Sequence, residues 1–334
     1  MEATDFWQEI RVFAYRLSIS RPSMGSAIAS ALTQALKSIE DGCVKSFGKD
    51  WIHISHDAAV DPQHLKDLAM KSLDEFLGNQ SRIAQQLGEE FSKYLKKIFA
   101  HLNRPLRILT LSFSSSLKGC LLQAFCQVEG LKIELCILES RPRCEGASFG
   151  VHLLQSLGSE RWTGNSVDDI RTPNLKVIIG PDSHICKFAL DVDIVLLGSD
   201  RISESGDVSN KMGSLAAVLC AKQISPAVKV VALSVSDKIA KPGGMNEHVV
   251  ENNDIEEVVQ GWDDEAKKSY LEMDSENLVV ENVYFEWVPA RFVDVHVTER
   301  GVLDPTKIQE ISREKEKLEK ETFDEDVVAR AQNK

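Results

Sequence analysis

From residue 104 onward, short apolar runs alternate with stretches of helical length, and that alternation constrains the fold more than any other feature of the chain. The runs are Leu106–Leu111, Leu131–Leu138, Leu175–Ile179, Val192–Leu197, Val228–Leu233 and Val293–Val297. Between them, helical patterns cover Ser116–Val128, Ser148–Leu157, Ser183–Leu190 and Met212–Ala221. Apolar runs without a polar alternate suit strands buried on both faces, and strand–helix alternation implies a parallel sheet between two helical layers. Residues 5 to 100 read differently. Met24, Ile28, Ala31, Leu32, Ala35, Leu36 and Ile39 recur at three- and four-residue steps, one apolar face of a helix. Asp61 and Pro62 make an N-cap and first-turn proline for a second helix through Leu77. Ser81–Ala100 is a third amphipathic run, with Ile83, Leu87, Phe91, Tyr94, Leu95 and Ile98 on its buried side. The expected class is α/β: a helical N-terminal domain, 1–103, then a Rossmann-like parallel-sheet domain, 104–307, with the break at Asn103–Pro105.

Two segments fall outside this scheme. Residues 247–281 are acidic and interrupt the alternation, which predicts a solvated insertion or a partner-facing loop. The tail, 308–334, opens on a charged helical pattern, R-E-K-E-K-L-E-K-E, with acid–base pairs four residues apart. Its short apolar stripe predicts a solvated helix rather than a coiled coil.

Charge and cysteine usage narrow the function. The 334 residues carry a net charge of −12, with 43% hydrophobic and 27% charged residues. Direct nucleic-acid binding is not expected, because it needs clustered cations. No run approaches the roughly 18–20 apolar residues of a membrane span, and Met1–Trp7 has no basic, apolar leader pattern. A cytoplasmic location is expected. Seven scattered cysteines without a C-x-x-C pair, and eight histidines without ligand spacing, argue for reduced thiols and no metal site. No G-x-G-x-x-G follows the first strand, so neither a dinucleotide nor any other cofactor is expected.

Polar residues at strand ends are the candidate site, because ligands of open α/β sheets bind beyond the carboxyl ends of strands. Asp200 and Arg201 follow the run ending at Leu197, and Asn210 and Lys211 precede the helical pattern at Met212, where backbone donors and a lysine suit a phosphate. A plain surface loop explains the same residues. Leu109–Ser116 carries four serines; Ser114 can serve a phosphate or simply cap a helix. Arg141, in Glu139-Ser-Arg-Pro-Arg143, can hold a phosphate bidentately or pair with Glu139. Arg21, in Ser20-Arg-Pro-Ser-Met-Gly25, can reach the sheet from the front or merely lie at a helix start.

These motifs, in order, resemble one family. S-D-R-I followed by G-D and N-K-M-G (198–213) is similar to a signature of the aldose-phosphate isomerases, methylthioribose-1-phosphate isomerase and ribose-1,5-bisphosphate isomerase. Those enzymes share a fold with the alpha, beta and delta regulatory subunits of translation initiation factor 2B. L-T-L-S-F-S (109–114) resembles the loop after the family's first strand, E-S-R-P (139–142) its E-T-R-P element, and T-E-R-G-V-L (298–303) its closing turn. R-P-S-M (21–24) resembles a front-domain element of the beta and delta subunits.

The resemblance implies a helical domain before a Rossmann-like one, in a homodimer or an assembly with related subunits. It implies a catalytic aspartate at Asp200. The isomerases' catalytic cysteine falls at Ser112, and the histidine beside it at Leu111. A thiol titrates near 8.5; a serine hydroxyl is a far weaker acid and needs a strong neighbouring base. Cys120, about 12 Å along a helix from Ser112, is no substitute. Two functions follow. One is a sugar-phosphate-binding protein using Ser114, Arg141, Asn210 and Lys211, with Arg21 from the front, whose aldose–ketose isomerisation is altered or absent. The other is an initiation-factor-2B-like subunit acting in guanine-nucleotide exchange through protein contacts.

Overall fold

A computed structural model describes residues 3–20, 25–56, 60–158, 174–243, 252–273 and 277–332. Four helices form the front: α1 (Ala3–Ile19), α2 (Gly25–Phe47), α3 (Trp51–His56) and α4 (Pro62–Phe99). Asp61 caps α4 by accepting from the Gln63 amide, with Pro62 in the first turn. The helix expected to stop at Leu77 does not stop. α4 runs unbroken for 38 residues, about 57 Å at 1.5 Å per residue. Its first half packs Leu65, Leu68 and Leu73 against a cluster holding Trp7, Leu36 and Ile39. Its second half sends Leu87, Phe91 and Leu95 into the sheet's core. Burial at both ends outweighs the helix-breaking tendency of Gly78, about 1 kcal/mol relative to alanine. A Cβ at Gly78 would have no atom within 4 Å. Gly78→Ala should therefore raise unfolding free energy by about 0.5–1 kcal/mol in a urea titration; a decrease would mean the helix bends there in solution.

The sheet follows. Its elements in order are β1 (Leu106–Leu111), α5 (Ser115–Gln127), β2 (Lys132–Leu138), α6 (Glu145–Gly158), β3 (Asn174–Gly180), α7 (Ile185–Phe188) and β4 (Ile194–Leu197). Then come β5 (Arg201–Ile202), β6 (Val208–Lys211), α8 (Ser214–Ile224) and β7 (Lys229–Leu233). The last third holds α9 (Glu256–Val259), α10 (Asp264–Glu272), β8 (Phe285–Val288), β9 (Val295–Thr298), β10 (Gly301–Leu303), α11 (Pro305–Thr322) and α12 (Glu325–Gln332). Seven strands pair in the order β10-β9-β7-β4-β1-β2-β3, all parallel except β10. Each apolar run of the sequence forms one of the six parallel strands. From β1 the chain builds outward through β2 and β3, then returns to β4 and builds the other way. The switch point lies between β1 and β4, and a crevice opens there at the carboxyl ends.

Two expectations are corrected. Asn210 and Lys211 do not lead directly into a helix. They end β6, the middle strand of a three-stranded antiparallel sheet ordered β5-β6-β8. V-S-N-K is too short and polar to read as a strand; pairing with Phe285–Val288 makes it one. The tail is not a solvated helix. α11 buries Ile308, Ile311 and Ser312, and Phe323 and Val327 enter the front cluster beside Trp7. Arg11 holds this end through Asp324, at 2.8 Å, and the Thr322 carbonyl, at 2.7 Å.

One core group titrates. His296 on β9 is buried, and burial pushes its imidazole down to about 4. The unfolded chain binds that proton near pH 6.5. The fold thus favours neutral histidine, a contribution fully present above pH 6.5 and lost as pH falls toward 4. At about 1.4 kcal/mol per pH unit, the loss totals roughly 3 kcal/mol. His296→Gln should flatten the stability curve between pH 6.5 and 4; an unchanged slope would assign acid sensitivity elsewhere.

Candidate functional site

At the switch point lies a cavity of about 190 Å³. Ser112, Phe113 and Ser114 line it from the end of β1, and Gly198, Ser199 and Asp200 from the end of β4. Glu145 enters from the first turn of α6, Asn210 and Lys211 from β6, and Tyr284 and Phe285 from the start of β8. Five of the residues singled out from sequence, Ser112, Ser114, Asp200, Asn210 and Lys211, thus share one cavity.

Backbone geometry fixes Ser112. Its φ is +62°, the left-handed region that non-glycine residues rarely enter. Its amide donates to Ser140 Oγ at 2.7 Å. Ser140 is also left-handed, at φ +62°, and the Ser140 and Arg141 amides donate to the two oxygens of Asp182 at 2.9 and 2.7 Å. The loops after β1, β2 and β3 are thereby tied together, which offsets the strain at the two serines. The Ser112 hydroxyl donates to Glu145 Oε2 at 3.2 Å.

Lys211 Nζ lies 2.8 Å from that same oxygen and 4.1 Å from the centre of the Tyr284 ring. The Lys211 side chain is 6% exposed, and these partners offset the cost of burying it. Asp200 is anchored through its amide, which donates to the Ser209 carbonyl at 2.9 Å. Asn210 Nδ2 donates to Ser214 Oγ at 3.0 Å, leaving the amide oxygen toward Gly198, where an added Cβ would stand 3.7 Å from it and 3.5 Å from Ser114 Oγ. Ser114 caps α5, its hydroxyl accepting from the Leu117 amide at 3.2 Å.

Other expected site features are placed differently. The N-terminus of α8 was expected to offer free donors to a phosphate; instead the Gly213 and Leu215 amides donate to Glu286 Oε1 at 2.6 and 3.1 Å. A carboxylate already occupies that helix end. Arg141 lies outside the cavity, in an adjoining groove beside Pro142, Met212 and Trp262, and its Nη2 donates to the Gly261 carbonyl at 3.4 Å. Arg21 is outside the described residues. Cys120 is buried within the core, where burial pushes its thiol up to about 12. Among the described residues, no cluster of histidine, cysteine and carboxylate side chains could hold a metal, and no helix is long and apolar enough to cross a membrane.

Sequence reasoning missed Glu145 and Tyr284. Glu145 reads as an ordinary acid in a helix's first turn, and Tyr284 lies in an irregular stretch beyond the acidic segment. That segment is not merely a surface excursion. The Tyr284 hydroxyl donates to Glu257 in α9, and Asn282 Nδ2 reaches Glu257 Oε2 at 3.1 Å. Burial and the bond to Glu257 raise the Tyr284 phenol above its usual range; the same bond holds the Glu257 carboxyl below its own. Arg143, hydrogen-bonded to Tyr284, gains proton affinity from it. The acidic segment therefore braces the cavity's outer wall.

A Rossmann-like sheet with a polar, lysine-bearing pocket at its switch point behind a helical front defines an architecture, and comparison with known proteins finds chains similar to this one. The family model described as the initiation factor 2 subunit family matches residues 163–305. Over that stretch the chain is similar to the family's members. It is 27% identical over 315 residues to a ribose 1,5-bisphosphate isomerase of Haloferax volcanii, covering 94% of this chain and 80% of that one. It is 27% identical over 180 residues to a methylthioribose-1-phosphate isomerase of Rhizobium meliloti, covering 53% of this chain and 46% of the other, less than half its length. Among solved structures, eIF2B beta from Chaetomium thermophilum superposes with a TM-score of 0.59 at 13% identity, covering 93% of this chain and 79% of that one. The translation initiation factor eIF-2B of Pyrococcus horikoshii superposes with a TM-score of 0.54 at 17% identity, covering 92% and 93%. At those identities the structures establish a common fold.

Proposed function

We propose that the cavity binds a phosphorylated sugar, a pentose 1-phosphate being the best fit. One observation carries this reading: a lysine buried at a sheet's switch point, with two carboxylates, an amide and three serines around the same small space. A buried ammonium favours an anionic ligand group, and the surrounding acceptors and donors suit vicinal hydroxyls. Lys211 alone does not neutralise a phosphate dianion beside Glu145 and Asp200. Arg143, bonded to the cavity-lining Tyr284, is a candidate second cation, and Arg141 and Arg21 are candidates for a more distant phosphate. The two relatives' substrates, ribose 1,5-bisphosphate and methylthioribose 1-phosphate, are the probes to use. Either one, at 100 times its dissociation constant, should stabilise the protein by about 2.7 kcal/mol. Absence of any thermal shift with both would remove this reading.

A second reading, an initiation-factor-2B-like regulatory subunit, is favoured by the acidic segment. It displays Leu271, Met273 and Val279 at 80%, 50% and 75% exposure, more apolar surface than a solvated segment needs. It predicts recovery of initiation-factor subunits with the purified protein from cytoplasm. A homodimer that recovers none of them would leave the sugar-phosphate reading alone.

A further inference from the structure

We propose that Glu145 is the base of an aldose–ketose isomerisation in this cavity, doing here the work that a thiol at position 112 would otherwise do. The inference rests on the sugar-phosphate reading and adds to it a reaction and the group that carries the proton.

The argument starts from what Ser112 lacks. An unassisted serine hydroxyl neither takes nor gives a proton near neutral pH. The structure sets a carboxylate against it: Glu145 Oε2 accepts from Ser112 Oγ at 3.2 Å and from Lys211 Nζ at 2.8 Å. Both partners donate to one oxygen, so Ser112 and Lys211 aim the carboxylate, and the glutamate lines the cavity itself. A glutamate carboxylate is a competent base for enolising a sugar phosphate. Asp200, on the β4 side, is the second carboxyl the chemistry needs.

The step balances without an outside oxidant. The cycle begins with Glu145 ionised and Asp200 protonated. Glu145 takes the proton from C2; the C2–H electron pair becomes the C1–C2 double bond as the bond from C1 to the ring oxygen breaks. The ring oxygen takes the Asp200 proton. Glu145 then returns its proton to C1 while Asp200 takes the proton of the C2 hydroxyl, leaving a carbonyl at C2. C2 is oxidised, C1 is reduced, and both carboxyls regain their starting states. Because Glu145 exchanges its proton with solvent, the product should carry solvent hydrogen at C1.

The test is proton NMR in D₂O with ribose 1,5-bisphosphate and, separately, methylthioribose 1-phosphate, beside thermal shifts with each. The expected result is a ketose with deuterium at C1, formation slowed about 100-fold or more in Glu145→Gln, and partial recovery in Glu145→Asp. Thermal shift by the probe should persist in both variants, which shows that they fold and bind. Ketose formation by Glu145→Gln within threefold of wild type overturns the proposal, as does a ketose with no deuterium at C1. Thermal shift with neither ketose nor exchange at C2 in the wild type overturns the reaction while leaving the binding reading standing. No shift with either probe overturns both.

Discussion

Lys211→Met should weaken sugar-phosphate binding about 100-fold or more, with the fold intact. The methionine keeps the length and apolar stem of the lysine and removes only its charge. In the wild type that charge is 6% exposed and paired at 2.8 Å with Glu145. Removing one partner of a desolvated charge pair typically costs about 2–5 kcal/mol of binding, and the exposed Arg143 beside Tyr284 recovers only what an exposed cation can. Stability should fall less, by about 1–2 kcal/mol, because the stranded Glu145 is 27% exposed and water reaches it. Calorimetric titration with ribose 1,5-bisphosphate, beside urea unfolding, separates the two effects. A dissociation constant within threefold of wild type would show that the phosphate does not meet Lys211.

Phe323→Ala should cost about 3–5 kcal/mol of unfolding free energy. Phe323 ends α11 at 6% exposure, and its ring meets Tyr15 edge-to-face at 5.4 Å. It belongs to the cluster of Trp7, Leu36 and Cys43 on α1 and α2. Were the tail the solvated helix its charge pattern suggests, the same change would cost less than about 0.5 kcal/mol. Chemical denaturation followed by tryptophan fluorescence decides between these values, since Trp7 and Trp51 meet edge-on in the same cluster at 5.0 Å.

The contrast shows what a sequence displays and what it hides. The six parallel strands were legible because central strands buried on both faces are largely apolar, and Ile194–Leu197 or Val230–Leu233 have little alternative. The resemblance to the isomerases and initiation-factor subunits rested on strand-end motifs, each short but correctly ordered. The site was half legible. Asp200, Ser112 and Ser114 sit where a strand's end puts them, and their roles remain to be tested by the experiments above. Glu145 was invisible because its importance lies in a 2.8 Å approach to a residue 66 positions away; no local pattern encodes that. The β6 strand was hidden because V-S-N-K gains its conformation from Phe285–Val288 and not from its own propensity. α4 continued through Leu77-Gly78-Asn79 for a similar reason: two separate cores hold its ends, and local propensity loses to both.

The meeting of Arg11 with Asp324, and of Tyr15 with Phe323, joins segments more than 300 positions apart. Synthesis runs in one direction, at about 5–20 residues per second, so α1 and α2 emerge long before α12 can cover them. For something like half a minute at a typical rate, the apolar faces of Trp7, Leu36 and Cys43 lack their lid while the sheet forms downstream. The front helices are thus made before the sheet and finished after it, and a nascent chain that has emerged only as far as Leu303 should hold a completed sheet and an open, chaperone-accessible front.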